Sequence, residues 1–283
     1  MKILKYALFA SLFFVVTSAR SAEVDYWRSD SVKVVRLLRE APHQNDSNQM
    51  LYFARRLRGL PYVAKTLEKN EHEKLVVNLR QFDCTTFVET VLALTRCVKE
   101  GKRTFEAFCD NLRNLRYRNG EVTYVDRLHY FTAWIEDNER MGLVKEIQGP
   151  NPPFSAVQTV KVNYMTTHRS LYPMMVRHPE WVKGIRKMED SISGRRYKYI
   201  PKSMLTNYKA LRQCIDDGDV IVILTKKKGL DTSHLAIAVW HDDGLHFIDA
   251  SMVQHKVVEE SMTIAQYMAR HPSHIGIRVV RSL

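Results

Sequence analysis

Phe82-Asp83-Cys84-Thr85-Thr86-Phe87-Val88-Glu89-Thr90 is the stretch on which the reading of this chain turns. Counting from Cys84, residues suited to a buried face recur at Phe87, Val88, Val91, Leu92 and Thr95, offsets of 3, 4, 7, 8 and 11. That spacing predicts one stripe of an amphipathic helix, with Asp83 as candidate N-cap and Gly101 as the stop. Cys84 then falls in the first turn, where backbone N–H groups lack partners and the helix dipole favours negative charge. Both effects favour the thiolate, the nucleophilic form of cysteine. A buried structural cysteine would occupy the same position, so a nucleophile here requires a base from elsewhere in the chain.

Among 11 histidines, His234 stands out because it begins the strand pattern Leu235 to Trp240. His241-Asp242-Asp243-Gly244 follows as a turn, and Leu245 to Ala250 returns as a second strand. The pattern predicts a hairpin. With a four-residue loop, Trp240 faces Leu245, and His234 and Asp249 become diagonal neighbours on one face. An imidazole and a carboxylate that can fix its tautomer are thereby juxtaposed. His246 falls on the opposite face; a loop of odd length would reverse the choice and make His246 the third member. Ala236 and Ala238 share the face of His234, and their small size predicts that the Cys84 helix packs closely there.

The chain has 283 residues, 45% hydrophobic and 26% charged, which is ordinary globular composition and excludes a disordered or collagen-like chain. Short helices are expected at Val32 to Leu38, Met50 to Leu57 and Thr104 to Leu115, with a break at Gly59-Leu60-Pro61-Tyr62. A weak strand pattern covers Val157 to Tyr164, and irregular helix is expected over His168 to Ile215. Asp219 to Leu224 and Gly276 to Val280 add strands. Helices first and hairpin-linked strands last predict an α+β domain built on an antiparallel sheet.

The N-terminus reads as a leader. Lys2 and Lys5 precede an apolar run, Tyr6 to Val16, that is too short to span a bilayer, and Thr17 and Ala19 suit a cleavage site. Residues 1–19 are therefore expected to be removed, leaving an exported, periplasmic protein over 20–283 with no stable membrane anchor. The net charge of +12 suits an anionic partner. Export and the lack of an RNA-binding signature argue against nucleic acid. The cysteines are Cys84, Cys97, Cys109 and Cys214, and export permits disulfides whose pairing the sequence leaves open. No cysteine pair has zinc-knuckle spacing and no HExxH occurs, so no metal site is expected.

With these residues in view, the chain resembles the NlpC-type papain-like cell-wall hydrolases, and more closely their N-acetylmuramoyl-L-alanine amidase-like branch. The resemblance rests on Asp83-Cys84-Thr85-Thr86-Phe87-Val88-Glu89, on Asp231-Thr232-Ser233-His234-Leu235-Ala236 and on Phe247-Ile248-Asp249-Ala250-Ser251. Gly59-Leu60-Pro61-Tyr62, Thr66-Leu67-Glu68, Tyr117-Arg118-Asn119-Gly120, Asp126-Arg127-Leu128-His129-Tyr130-Phe131, Ile200-Pro201-Lys202 and Gly218-Asp219-Val220-Ile221 extend it. Lys65 stands where the pattern leads one to expect glycine. Thr85-Thr86 and Ala236 replace the Ser-Gly and Gly usual in the wider superfamily, which favours the amidase branch over an endopeptidase.

The resemblance implies a papain-like fold in one domain, with a nucleophile helix on an antiparallel sheet and a helical insertion at about 117–215 shaping the cleft. It implies a Cys84–His234–Asp249 triad without a cofactor, and an oxyanion site at the Cys84 N–H and the Tyr62 hydroxyl. Arg118, Arg127, His129 and Tyr130 are expected along the cleft, and Trp134 in the core. The implied substrate is a muropeptide or anhydro-muropeptide, cut between the lactyl group of N-acetylmuramic acid and L-Ala. A cysteine endopeptidase acting within the stem peptide, a transglutaminase-like acyltransferase and a non-catalytic muropeptide-binding protein are the alternatives.

Overall fold

The computed structural model describes residues 23–43 and 48–283; the leader expected over 1–19 lies outside them. The first half of the chain runs β1 (Val24–Tyr26), α1 (Arg28–Glu40), α2 (Gln49–Arg56), β2 (Leu75–Val77), α3 (Cys84–Lys99), α4 (Phe105–Arg116) and α5 (Phe131–Arg140). It continues through β3 (Val144–Ile147), β4 (Ala156–Thr159), α6 (Tyr164–Thr167), α7 (Pro173–Arg177), α8 (Val182–Ile192), β5 (Arg196–Pro201) and α9 (Tyr208–Leu211). The last third holds β6 (Val220–Thr225), β7 (Thr232–His241), β8 (Gly244–Ser251), β9 (Lys256–Glu259), α10 (Ile264–Ala269) and β10 (His274–Ser282).

Eight strands form one antiparallel sheet in the order β4-β5-β10-β6-β7-β8-β9, and β3 joins it beside β10. β1 and β2 form a separate parallel pair. This is the α+β arrangement expected, with helices packed on an antiparallel sheet. The region 117–215 is less purely helical than expected, because β3, β4 and β5 lie in it. β5 starts just after Gly194 and ends on Pro201, breakers that made this region read as irregular helix.

The central strands are buried on both faces, which explains the unbroken apolar run of β6. On one face Val220, Val222, Leu224, Leu235, Ile237, Val239, Ile248 and Ala250 join the core of α1 to α5. On the other, Ile221, Ile223, Ala236, Ala238, Leu245 and Phe247 pack with Phe154, Leu211, Ile264 and Met268. The expectation that Ala236 and Ala238 admit the Cys84 helix is therefore corrected. α3 packs against β7 and β8, on the face carrying Leu235, Ile237 and Val239.

α3 also departs from a one-sided helix. Phe87, Val88, Val91 and Leu92 are fully buried, but so are Ala93, Leu94 and Cys97. α1, α2 and α4 cover the flanks that the sheet leaves open. Asp83 caps it as expected: its Oδ1 accepts from the Thr86 N–H at 2.8 Å, while Thr86 Oγ1 accepts from the Asp83 N–H at 3.0 Å. Gly101 follows its end with a φ of 68°, the left-handed conformation that glycine adopts without steric cost.

Glu89 is the buried charged residue of this helix. Arg116 of α4 donates to its Oε2 at 2.7 Å and to the Val76 carbonyl at 2.7 Å. Burial pushes the Glu89 carboxyl up, and the guanidinium opposes that push. Removing one partner strands the other charge in the core. Glu89→Ala is expected to lower the unfolding free energy by about 3–5 kcal/mol, read from urea denaturation.

Candidate active site

Cys84 sits at the tip of α3, half-buried, with its backbone N–H among the unpaired donors of the first turn. Two local contacts fix the loop beside it. The Phe82 N–H donates to the Pro61 carbonyl at 3.0 Å, and the Val63 N–H donates to the Phe82 carbonyl at 2.8 Å. Tyr62 is thereby held as a parallel bridge partner of Phe82, two residues from the thiol. Burial pushes the Tyr62 phenol up to about 12, and the charges of Cys84 and Asp83 add to it. At neutral pH the hydroxyl keeps its proton and remains a donor.

The hairpin register follows the expectation. Trp240 pairs with Leu245, Val239 with His246 and Ile237 with Ile248. His241 also pairs with Gly244, so the loop has two residues and not four, but its even length preserves the faces. His234 Nε2 and Asp249 Oδ2 are 2.6 Å apart. Asp249 is buried, whereas 13% of the His234 side chain is exposed.

With Nε2 engaged by Asp249, Nδ1 is the nitrogen left free, and Cys84 acts on the imidazole electrostatically. Burial by itself would lower the His234 pKa. The negative charge of Cys84 and the hydrogen bond to Asp249 outweigh it and raise the value to about 10 from an ordinary 6.5. The structure thus brings imidazole and carboxylate together, with the charge of Cys84 acting on the imidazole.

The start of β7 is anchored separately. Asp231, buried, accepts from the Thr132 N–H at 2.8 Å in the first turn of α5, a favourable place for a carboxylate. Its carbonyl accepts from Gln158 of β4 at 2.8 Å. The strand therefore enters with its end fixed three residues before His234.

Two neighbours were missed in the sequence. Tyr267 of α10 and Glu260, just after β9, both feel the charge of Asp249, and Tyr267 that of Cys84 as well. Burial pushes both groups up. Glu260 had a legible signal, because β9 pairs with β8 and sets Glu260 on the face of Asp249. Tyr267 had none, since it lies on a six-residue helix far downstream.

The other expected cleft residues are placed differently. Arg127 is buried in ion pairs with Glu68 and with Glu73 at 3.5 Å, and its guanidinium covers the Tyr124 ring at 4.7 Å. His129 Nε2 bonds the Tyr124 carbonyl at 2.7 Å, and burial, then the Arg127 charge, push its pKa well down. Tyr130 is buried and donates to Glu189 of α8 at 2.7 Å while accepting from the Met165 N–H at 3.0 Å. These three residues tie loops and helices together. Arg118 lines a cavity of about 290 Å³ with Val125, Asp126, Gly184 and Lys187, and Cys84 is not part of that lining. Trp134 is fully buried, as expected. Lys65 takes the left-handed backbone, φ 60°, in the position where glycine was expected.

His246 faces away from His234. Its partners are the Glu260 carbonyl and Asp243, each at 2.9 Å. The four cysteines are free thiols. Burial pushes Cys97 to about 11, Cys109 to about 12 and Cys214 to about 11; these three are buried, whereas Cys84 is half-buried. Among the described residues, the metal-competent cluster of His, Cys, Asp and Glu is His241, Asp243 and His246, and it excludes Cys84.

A family model described as N-acetylmuramoyl-L-alanine amidase-like (AmiA-like) matches residues 52–277. A crystal structure of an N-acetylmuramoyl-L-alanine amidase from Bacteroides uniformis is 37% identical, covers 83% of this chain and 97% of its own, and superposes with a TM-score of 0.77. A Bacteroides fragilis structure described as a candidate xylanase is 35% identical over 81% of this chain and 98% of its own, with a TM-score of 0.75. A Legionella pneumophila structure, at 21% identity, 90% and 95% coverage and a TM-score of 0.69, shares the fold. No curated protein matches.

The coupling of sulfur to imidazole is measurable. In Cys84→Ala the charge of the sulfur is gone, so the His234 pKa is expected to fall well below 10. An NMR titration of the imidazole reads this directly, and an unchanged value would place the sulfur out of contact.

Proposed function

The chain belongs to the N-acetylmuramoyl-L-alanine amidase-like family, and on that premise we propose that it hydrolyses the bond between the lactyl group of N-acetylmuramic acid and L-Ala in muropeptides. The nucleophile is Cys84, His234 is the acid and base, and Asp249 orients His234. The observation that supports the reading is the buried Asp249 carboxylate held 2.6 Å from His234, an imidazole on which Cys84 acts electrostatically.

His234 takes the thiol proton of Cys84, which leaves a thiolate beside an imidazolium. The thiolate attacks the lactyl carbonyl, and the carbonyl electrons move to oxygen. That oxyanion accepts from the Cys84 N–H and the Tyr62 hydroxyl. The imidazolium gives its proton to the leaving nitrogen of L-Ala, which departs as a free amine. A thioester to the sugar remains. Water then attacks it while the imidazole takes a proton, and the lactyl acid leaves as the thiolate is restored.

Residues 20–283 act as a single catalytic domain, exported after loss of residues 1–19, and the region 117–215 shapes the approach to the thiol. No helix of the described residues is long and apolar enough to cross a membrane. A glycan-hydrolase reading, raised by the Bacteroides fragilis relative's description, calls for two carboxyl groups flanking a glycosidic bond. A thiol–imidazole pair is instead suited to acyl transfer.

Incubation with anhydro- and reducing-end muropeptides, followed by mass spectrometry, tests the proposal. Wild type is expected to release a free peptide beginning with L-Ala and an intact sugar, and Cys84→Ala neither. Cleavage inside the stem peptide would replace the reading with that of an endopeptidase, and binding without turnover would make the protein a muropeptide receptor. Tyr62→Phe is expected to lower kcat by ~10²–10³ if its hydroxyl serves the oxyanion. Because His234 must carry a proton to release the amine, the rate is expected to fall as pH rises through about 10.

A further inference from the structure

The turn of the β7–β8 hairpin gathers a second set of chemistry-bearing side chains. His241 closes β7, Asp243 lies in the two-residue turn and His246 follows in β8. Register pairs His241 with Gly244 and Val239 with His246, so the two imidazoles are diagonal neighbours on one face. Their rings lie 4.3 Å apart, and one ligand atom from each of the three residues falls within 4.8 Å of the others. A tetrahedral zinc ion with bonds of about 2.0–2.2 Å holds its ligand atoms roughly 3.3 Å apart, so a small side-chain adjustment closes the set.

The surroundings of His246 point to a cation. Its side chain is 2% exposed. Nδ1 faces the Glu260 carbonyl at 2.9 Å and Nε2 faces Asp243 Oδ1 at 2.9 Å. Both neighbours are acceptors. If Nδ1 donates to the carbonyl, Nε2 directs a lone pair at a carboxylate unless a proton or a metal ion sits between them. An Nδ1–H held by a backbone carbonyl is also the outer-shell arrangement that orients a metal-bound histidine. His241 Nε2 faces a further carboxylate, Glu259, at 3.1 Å.

We propose that His241, Asp243 and His246 form a binding site for one divalent transition-metal ion, of the zinc, cobalt or nickel class. Two imidazole nitrogens and one carboxylate suit these ions and not calcium or magnesium, which favour all-oxygen sites. The site is separate from His234, because His241 and His246 lie at the turn end of the hairpin and on the opposite face, His241 being seven residues along β7 from His234. Its role is structural. The ion pins the turn joining the strands that carry His234 and Asp249, so it stabilises the hairpin without touching substrate. This inference does not depend on the amidase reading.

The test uses full-length chain without a polyhistidine tag, stripped with chelator, in a Cys84→Ala background so that thiol binding cannot contribute. Zn²⁺ is titrated by calorimetry, Co²⁺ by absorbance, and thermal unfolding is followed with and without Zn²⁺. One ion per chain and a rise in Tm are expected. His241→Asn and Asp243→Asn, both at accessible positions, are expected to weaken binding by about tenfold or more and to abolish the Tm rise. Failure of the Cys84→Ala chain to bind either ion, or equal binding by the His241→Asn and Asp243→Asn chains, would overturn the proposal.

Discussion

One imidazole is paired with a buried carboxylate on the neighbouring strand, and the register of β7 against β8 makes the pairing possible. His234 and Asp249 are 15 residues apart in sequence yet meet at 2.6 Å because both lie on one face of the hairpin. A slip of one residue would send Asp249 to the opposite face and leave the imidazole without its carboxylate. Everything chemical in the site presupposes that alignment.

The register is held from several sides. The apolar residues of β7 and β8 are buried on both faces, so a slip would exchange Leu235, Ile237 and Val239 for residues sized to the other core. Asp231 fixes the start of β7 through the first turn of α5. α3 presses on β7 and β8, and its capped first turn delivers the thiol. The same helix is thus both the centre of the core and the carrier of Cys84, so packing defects in α3 reach that thiol.

Much of this was legible in the residues. The cap, the first-turn cysteine and the hairpin with an even loop follow from local pattern alone, and local pattern is what short-range geometry obeys. Less legible was what depends on distant packing. Ala236 and Ala238 suggested a close helix, but periodicity does not say which face of a two-sided sheet a helix covers. Arg127, His129 and Tyr130 read as cleft residues because polar aromatic clusters resemble binding surfaces. Their partners, Glu68, the Tyr124 carbonyl and Glu189, come from other loops and helices, and only the assembled fold shows those bonds. Tyr267 reaches the site from a short helix whose placement no spacing rule predicts.

The most direct measurement is the mass of the protein caught in mid-reaction. Acid quenching during turnover of a muropeptide, followed by intact-mass and peptide mapping, identifies what is attached and where. The account predicts a thioester on the peptide containing Cys84, with the mass of the muramoyl sugar and without the stem peptide. An adduct made of stem peptide, an adduct on another residue, or turnover with no adduct at Cys84 under conditions that preserve thioesters would contradict it.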